Sequence, residues 1–402
     1  MSVLLRWLIC LLPVGLADAA DSASGEDWPS YGGDAGGSHF TALQQITPAN
    51  VHGLQQVWSY RLDWPEKKNV AFEVTPLKVG DLVYVCLPQN DIVALDADTG
   101  AVRWKYAAHL RTWSGSTICR GLAYYEAPSV DCPARLLMAS ADATLRAVDA
   151  RTGAACKSFG LEGSVDLLKG LGPVKQGFYT PTSPPAIVRG VAVVGSGVPD
   201  NGELTNPSGV VRAYDAVTGK FAWAWDLGRP DQHGEPVEGE HYTLNTPNAW
   251  SLFSADEELG LVYVPTGNSN PDYYGAHRTA EAEKYSSSVV ALDAATGTVR
   301  WSFQAIHHDL WDYDVGAQPV LTDFPTAEGK VPALIQATKT GQVFVLDRRD
   351  GHPLTEVQER PTPQGAGDGD WTAKTQPFST GMPAFTGPDL TEEDMWGLTP
   401  LD

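Results

Sequence analysis

Positive charge is scarce in this chain of 402 residues. Its 28 lysines and arginines stand against 49 aspartates and glutamates, for a formal net charge of −21. No run of Lys or Arg relieves the imbalance, which argues against nucleic acid and anionic membrane surfaces as partners. Long apolar runs are missing too. The longest candidate, Trp7–Leu16, is too short for a comfortable transmembrane helix. It follows Arg6 and precedes the small-x-small stretch Ala17-Asp18-Ala19, the pattern of a signal peptide over residues 1–20. A retained N-terminal anchor is the alternative; the expected mature chain, 21–402, is exported and soluble. Cysteine is equally sparse. Cys10 would leave with the leader, so Cys86, Cys119, Cys132 and Cys156 remain, an even number that an oxidising compartment allows to pair. Cys119 and Cys132 bracket a short turn-rich loop and are the best candidate pair. Cys86 and Cys156 lie in strand-like runs and could equally be free and buried.

What the chain has in plenty is turn and aromatic residues: 40 glycines, 29 prolines and 13 tryptophans, over an ordinary globular balance of 43% hydrophobic and 19% charged residues. Five segments share one pattern: ALDADTGAVRW (Ala94–Trp104), AVDARTGAACK (Ala147–Lys157), AYDAVTGKFAW (Ala213–Trp223), ALDAATGTVRW (Ala291–Trp301) and VLDRRDGHPLT (Val345–Thr355). Each reads as a strand ending in Asp, a tight turn closed by Gly, and a second strand. The Asp side chain can hold the turn's N–H groups while Gly takes the positive φ. Trp104, Trp223 and Trp301 each stand four residues after that Gly, and Trp58 looks like the same position without its turn. Repeats spaced 53 to 78 residues apart, each a hairpin with an aromatic anchor, predict an all-β fold, a β-propeller. The stretches Cys119–Ala134, Val198–Ser208, Arg229–Asn248 and Asn268–Tyr285 read as insertions gathered as loops on one face. No domain linker is visible, and no strand pairs are predicted after Val357. Five repeats make a marginal closed ring.

One stretch concentrates chemistry. Ile306–Asp314 (IHHDLWDYD) places His307, His308, Asp309, Asp312 and Asp314 beside Trp311 and Tyr313, directly after the strand-like run Val299–Phe303. Loops leaving rigid strands are where catalytic groups usually sit. On an extended segment Asp312 and Asp314 would point the same way, with Tyr313 opposite. Two carboxylates facing one space require a proton or a cation between them. The plainer reading is a solvated acidic loop with a buried Trp.

With these residues the chain resembles the quinoprotein dehydrogenases that use pyrroloquinoline quinone (PQQ). It is most similar to the membrane-type glucose and quinate dehydrogenases. The resemblance rests on WPSYGGD (Trp28–Asp34), EVTPLKVGDLVYVC (Glu73–Cys86), CRG (Cys119–Gly121), PTSPP (Pro181–Pro185), NTPNAW (Asn245–Trp250), HHDLWDYD (His307–Asp314) and KTGQVFVLDRRDG (Lys339–Gly351), in that order along the chain. It implies an eight-bladed propeller, here incomplete at about five to six blades, with the cofactor on the axis. It implies oxidation of an alcohol, polyol or sugar, with electrons passed to a quinone or cytochrome, in the periplasm.

Position by position, Asp312 resembles the general base that takes the substrate hydroxyl proton as hydride moves to the quinone. Lys339 resembles the cation beside the reactive quinone oxygens, and Trp250 the indole on which the quinone stacks. Glu73, Arg120 and Ser183 match polar groups around the PQQ carboxylates, a task for which the Arg fork is well shaped. The implied metal is Ca²⁺ or Mg²⁺ acting as Lewis acid. Its ligands would be Asp200, Asn201, Asn268 and Asp312, with Asn270 as second choice to Asn268. Asp314 stands where lanthanide-using relatives carry an extra acid, which keeps a lanthanide as the lesser alternative.

The chain departs from the pattern in three places. It lacks the transmembrane helices of the membrane-type enzymes. Ser116 stands about where the glucose enzymes have a histidine, which turns the expectation from glucose toward quinate, a polyol or another alcohol. The chain also stops shortly after Asp394–Gly397, where the family continues. A C-terminally truncated dehydrogenase, active or an inactive fragment, and a ring completed by a second polypeptide follow as expectations. The competing readings are a non-catalytic propeller serving as an envelope scaffold and a carbohydrate-binding propeller. Neither needs Asp312, Lys339, Trp250 and Asp200 together.

Overall fold

The computed structural model describes residues 26–62, 71–111, 117–127, 132–199, 201, 203, 205–387, 391–394 and 397. Residues 1–20, where the leader is expected, Asp200 and Ser116 lie outside them. The chain is almost entirely antiparallel sheet. The first sheet holds β1 (Leu77–Val79), β2 (Leu82–Cys86), β3 (Ile92–Asp96) and β4 (Val102–Tyr106). The second holds β5 (Ala123–Glu126), β6 (Ala134–Ser140), β7 (Thr144–Asp149) and β8 (Ser164–Asp166). β9 (Ala186–Val188), β10 (Val191–Val194), β11 (Val211–Asp215) and β12 (Phe221–Trp225) form the third. β13 (Ser254–Asp256), β14 (Leu261–Pro265), β15 (Ser288–Asp293) and β16 (Val299–Gln304) form the fourth, with the short helix α1 (Ala280–Tyr285) between β14 and β15. A three-stranded sheet of β17 (Val320–Thr326), β18 (Gly329–Ala337) and β19 (Val343–Asp347) follows, then β20 (Val357–Pro361) paired with β21 (Thr375–Ser379). That pair overturns the expectation of no strand pairs after Val357, because the Pro/Gly-rich stretch is only the connection between two strands. First strands are neighbours in turn, β5 beside β9, β9 beside β13 and β13 beside β17, so these sheets are set around a common axis. This is the all-β propeller arrangement expected from the repeats.

The repeats supply both the turns and the joints. In each, the Asp carboxylate accepts from amides of the turn, as Asp215 does from Val217 and Thr218. The closing glycines take φ between 69 and 78°. The Trp of one repeat then reaches the next turn. Trp58, Trp104, Trp223 and Trp301 lie flat against Gly100, Gly153, Gly297 and Gly351, where any β-carbon would strike the ring. Their indole N–H groups donate to Ala97, Ala150, Ala294 and Arg348 carbonyls at 2.8–3.1 Å. Lys157 replaces Trp in the second repeat. There Gly219 closes on Gly160 and Val165 instead, and the Gly160 amide donates to the Thr218 carbonyl. Between adjacent sheets lie apolar cores, the largest joining the second and third sheets around Leu137, Leu145, Phe159, Val194 and Tyr214.

The cysteine expectation is overturned. Cys86 pairs with Cys119 and Cys132 with Cys156. The reason is that 119–134 is no simple loop. It contains β5, an extended strand that carries Cys119 and Cys132 to opposite ends of the sheet. Cys86, at the end of β2, thus meets the segment entering β5, and Cys132 meets the segment after β7.

Two outcomes test this account. Gly297→Ala forces a β-carbon at φ 75° to within 2.5 Å of Trp223, so urea denaturation should show a loss of roughly 2–4 kcal/mol. Gly234→Ala, with nothing near it, should stay within about 0.5 kcal/mol of the parent. Peptide mapping without reductant should recover 86–119 and 132–156 as linked pairs; a 119–132 link would contradict the strand placement.

Candidate active site

The residues singled out from the sequence converge because of where each stands in its repeat. Glu73 precedes β1, Arg120 precedes β5, Ser183 precedes β9, Trp250 precedes β13, and Asp312 and Asp314 precede β17. Each therefore sits at the entry end of a first strand, and these strands share an axis. Lys339 comes from the tight β18–β19 turn, which is closed by the Gly341 amide donating to the Thr338 carbonyl.

The result is one unbroken line of contacts. Glu73 pairs with Arg120 at 3.1 Å. The Arg120 guanidinium lies 5.1 Å from the centre of the Trp250 ring, over its face. Trp250 Nε1 donates to Asp314 Oδ2 at 3.0 Å. Lys339 Nζ then lies 3.4 Å from Asp314 Oδ2 and 3.5 Å from Asp312 Oδ1, and donates to the Asp312 carbonyl at 2.8 Å. Ser183 takes a supporting place: its hydroxyl donates to the Trp250 carbonyl at 2.8 Å. Thr182, in the same motif, accepts from the Arg120 guanidinium. Gly316 flanks the outer edge of the indole, so a side chain at that position would press on the ring.

Electrostatics follow from this packing. Burial and then the neighbouring Asp314 push the Asp312 carboxyl above the ordinary carboxylate range, against the pull of Lys339. Burial disfavours the Lys339 ammonium, but Asp314 and Asp312 outweigh it and hold the ammonium above its ordinary range. Burial also lowers Arg120, against the support of Glu73. The cation required between two facing carboxylates is thus supplied by the chain itself.

The loop reaches this geometry by a route other than the extended one expected. Asp312 has φ 59° and His308 φ 43°, left-handed values that a non-glycine residue holds only when its surroundings fix it. Asp309 does much of the fixing. Buried, and pushed up by that burial, it accepts from the Trp311 and Tyr313 amides at 2.9 and 2.7 Å and from the Ser287 hydroxyl at 2.7 Å. Its spacing to those amides, two and four residues on, is the local signal that marks Asp309 in the sequence. Trp311, buried in the plainer reading, is 74% exposed, while Asp309 and Asp314 are buried.

The sequence-derived metal ligands are differently disposed. Asn268 is buried with its carboxamide fully engaged. Oδ1 accepts from Ser269 N and Ser286 Oγ, and Nδ2 donates to the Asp272 and Asp309 carbonyls. Its backbone N–H donates to Asp314. Asn201 exchanges hydrogen bonds with Asp272, and Asn270 donates to the Glu203 carbonyl. Among the described residues no group of three His, Cys, Asp or Glu side chains is placed to hold a metal ion.

Sheets set around an axis thus bring an indole, two cations and three carboxylates together at the entry ends of their first strands, the arrangement of a propeller with one axial site. Residues 28–402 match the family model described as PQQ: Glucose/ethanol/alcohol dehydrogenase, beta-propeller domain, and the chain belongs to that family. The glycerol dehydrogenase large subunit of Gluconobacter oxydans (strain 621H) is 47% identical over 396 residues, 96% of this chain and 53% of that protein. The quinoprotein glucose dehydrogenase of Escherichia coli (strain K12) is 40% identical over 400 residues, 96% of this chain and 50% of that protein. The solved quinohemoprotein alcohol dehydrogenase ADHIIG of Pseudomonas putida HK5 superposes with a TM-score of 0.67 at 28% identity, covering 85% of this chain and 48% of that one. The chain spans about half the length of the curated relatives it matches.

The residues present fit PQQ, a flat molecule with three carboxylates: Arg120 supplies a cation at the indole face, and Lys339 supplies another beyond the Nε1 edge, through Asp314. Replacing Asp314 by Asn keeps an acceptor for the Trp250 N–H and removes the like charge beside Asp312. The Asp312 carboxyl should then titrate at lower pH than in the parent, followed by ¹³C NMR of labelled aspartate. An unchanged or higher midpoint would contradict the coupling.

Proposed function

We propose that this chain carries the cofactor-binding and substrate-activating site of a PQQ-dependent dehydrogenase oxidising an alcohol, polyol or sugar. The observation that carries the reading is the unbroken contact line from Glu73 through Arg120, Trp250, Asp314 and Lys339 to Asp312. PQQ, when bound, supplies the two-electron acceptor. Trp250 and Arg120 would hold it, with Glu73 fixing the Arg120 fork and Ser183 fixing the Trp250 backbone.

Asp312 acts as the general base. Its carboxylate is partly exposed, and a pKa raised toward the working pH suits it to accept the substrate hydroxyl proton. Lys339 stays protonated, since Asp314 and Asp312 hold its ammonium up, and it offers fixed positive charge where negative charge develops. Asp314 keeps the Lys339 ammonium and the Trp250 edge in register, so the base and the stacking ring move as one unit.

Ca²⁺ or Mg²⁺ belongs to the same reading as a Lewis acid, with Asp200, Asn201, Asn268 and Asp312 as its ligands. The carboxamides of Asn201 and Asn268 are spent on internal bonds in this structure, so no step is derived through the metal. Electrons leave to a quinone or a cytochrome. Export to the periplasm is supported by the leader pattern and by two disulfides, which persist in oxidising compartments. No helix among the described residues is long and apolar enough to cross a membrane.

Titrating PQQ with Ca²⁺ into the chain, followed by absorbance and thermal melting, should show saturable binding that raises the melting temperature. Lys339→Ala should weaken that binding. Asp312→Asn should bind PQQ nearly as well as the parent and lose roughly 10²–10⁴-fold in dye-coupled turnover. A folded chain that binds no PQQ would overturn the proposal.

A further inference from the structure

His308 has no part in the chemistry proposed above, yet its side chain is only 1% exposed, in the same loop as the base. Its Nδ1 lies 3.0 Å from Glu283 Oε1 and its Nε2 lies 3.0 Å from Asp370 Oδ1. Ionised carboxylates only accept hydrogen bonds, so each ring nitrogen must donate, and a neutral imidazole carries a single N–H. With one N–H missing, a lone pair of this buried ring would face a carboxylate oxygen.

The groups around the ring balance this charge. From α1 comes Glu283, whose Oε2 lies 3.6 Å from Arg278 Nη1. From the segment between β20 and β21 comes Asp370, which also accepts from the Gly275 and Trp371 amides. Asp309, next in the chain, is turned away to Ser287 and the loop amides. Two cations, His308 and Arg278, thus meet the two carboxylates that face the ring. Trp371 stacks on the imidazole, with centroids 3.6 Å apart and planes 18° apart. On its edge, Gly275 leaves no room for a β-carbon.

We propose that His308 is a positioning residue: a buried imidazolium clamp, bridging Glu283 and Asp370, that fixes the bend of the loop and so sets Asp312 against Lys339. The loop needs such a fixture because His308 and Asp312 both hold left-handed backbone, and Asp309 between them braces only the far half. The clamp ties the near half to α1 on one side and to the β20–β21 connection on the other. Its consequence for turnover rests on the proposed function; the clamp itself does not.

The test begins with ¹⁵N NMR of the full chain near neutral pH, with the His308 signals assigned by their loss in His308→Gln. Both ring nitrogens should show the shifts of a protonated imidazolium. Amide exchange at Trp311 and Tyr313 should quicken at least ~10-fold in His308→Gln and in Asp370→Asn. The second variant keeps shape and acceptor and decides the matter if the first does not fold. With PQQ and Ca²⁺, Asp370→Asn should lose roughly 10-fold to 100-fold in kcat, with substrate KM and PQQ affinity within about threefold of the parent. Neutral-imidazole shifts, or unchanged exchange in a folded variant, would overturn the clamp. A parent chain without PQQ binding or turnover would instead overturn the proposed function, and the nitrogen shifts and exchange rates would still decide the clamp.

Discussion

The structure depends on an indole laid flat against a glycine. Four times, the Trp that ends one repeat covers the Gly that closes the next turn and donates to a carbonyl of that turn. The contact fixes both the distance and the angle between adjacent sheets, because the ring has no slack against a residue without a side chain. Sheet angle, in turn, decides where the entry ends of the first strands lie. Were the sheets free to splay, Arg120 and Asp314, each ahead of a different sheet, would have no reason to reach the same Trp250.

The site built on that frame is electrostatically self-contained. Asp314 has the central place. It accepts from the Trp250 indole, the Asn268 backbone and the Lys339 ammonium; its charge holds the ammonium up, and it adds to burial in raising the Asp312 carboxyl beside it. One buried carboxylate therefore couples the ring that would receive a flat cofactor to the base that would receive a proton.

Much of this was legible in the sequence, for reasons that differ by residue. The repeat turns were, because an Asp holding local amides and a Gly at positive φ are short-range chemistry. Asp312, Lys339, Trp250 and Arg120 were identified through family resemblance, and the structure brings them together. The disulfides were not legible: the pairing turns on a four-residue strand, Ala123–Glu126, hidden in what reads as a turn-rich loop. Nor was the loop conformation. Alternation predicts that Asp312 and Asp314 share a side, and both do reach Lys339, but through a left-handed Asp312 stabilised by tertiary contacts that no local pattern encodes. The exposure of Trp311 and the burial of His308 have the same origin, in packing against α1 and the β20–β21 connection.

The central claim is that Trp250 forms the face of a cofactor site held by Asp314 and Lys339. It is tested most directly by ¹⁹F NMR of chain labelled with 5-fluorotryptophan, with Trp250 assigned by Trp250→Phe. Added PQQ with Ca²⁺ should shift the Trp250 resonance saturably, leave the inter-sheet Trp223 unmoved, and lose its effect in Lys339→Ala. PQQ binding that leaves the Trp250 resonance unchanged would contradict the account.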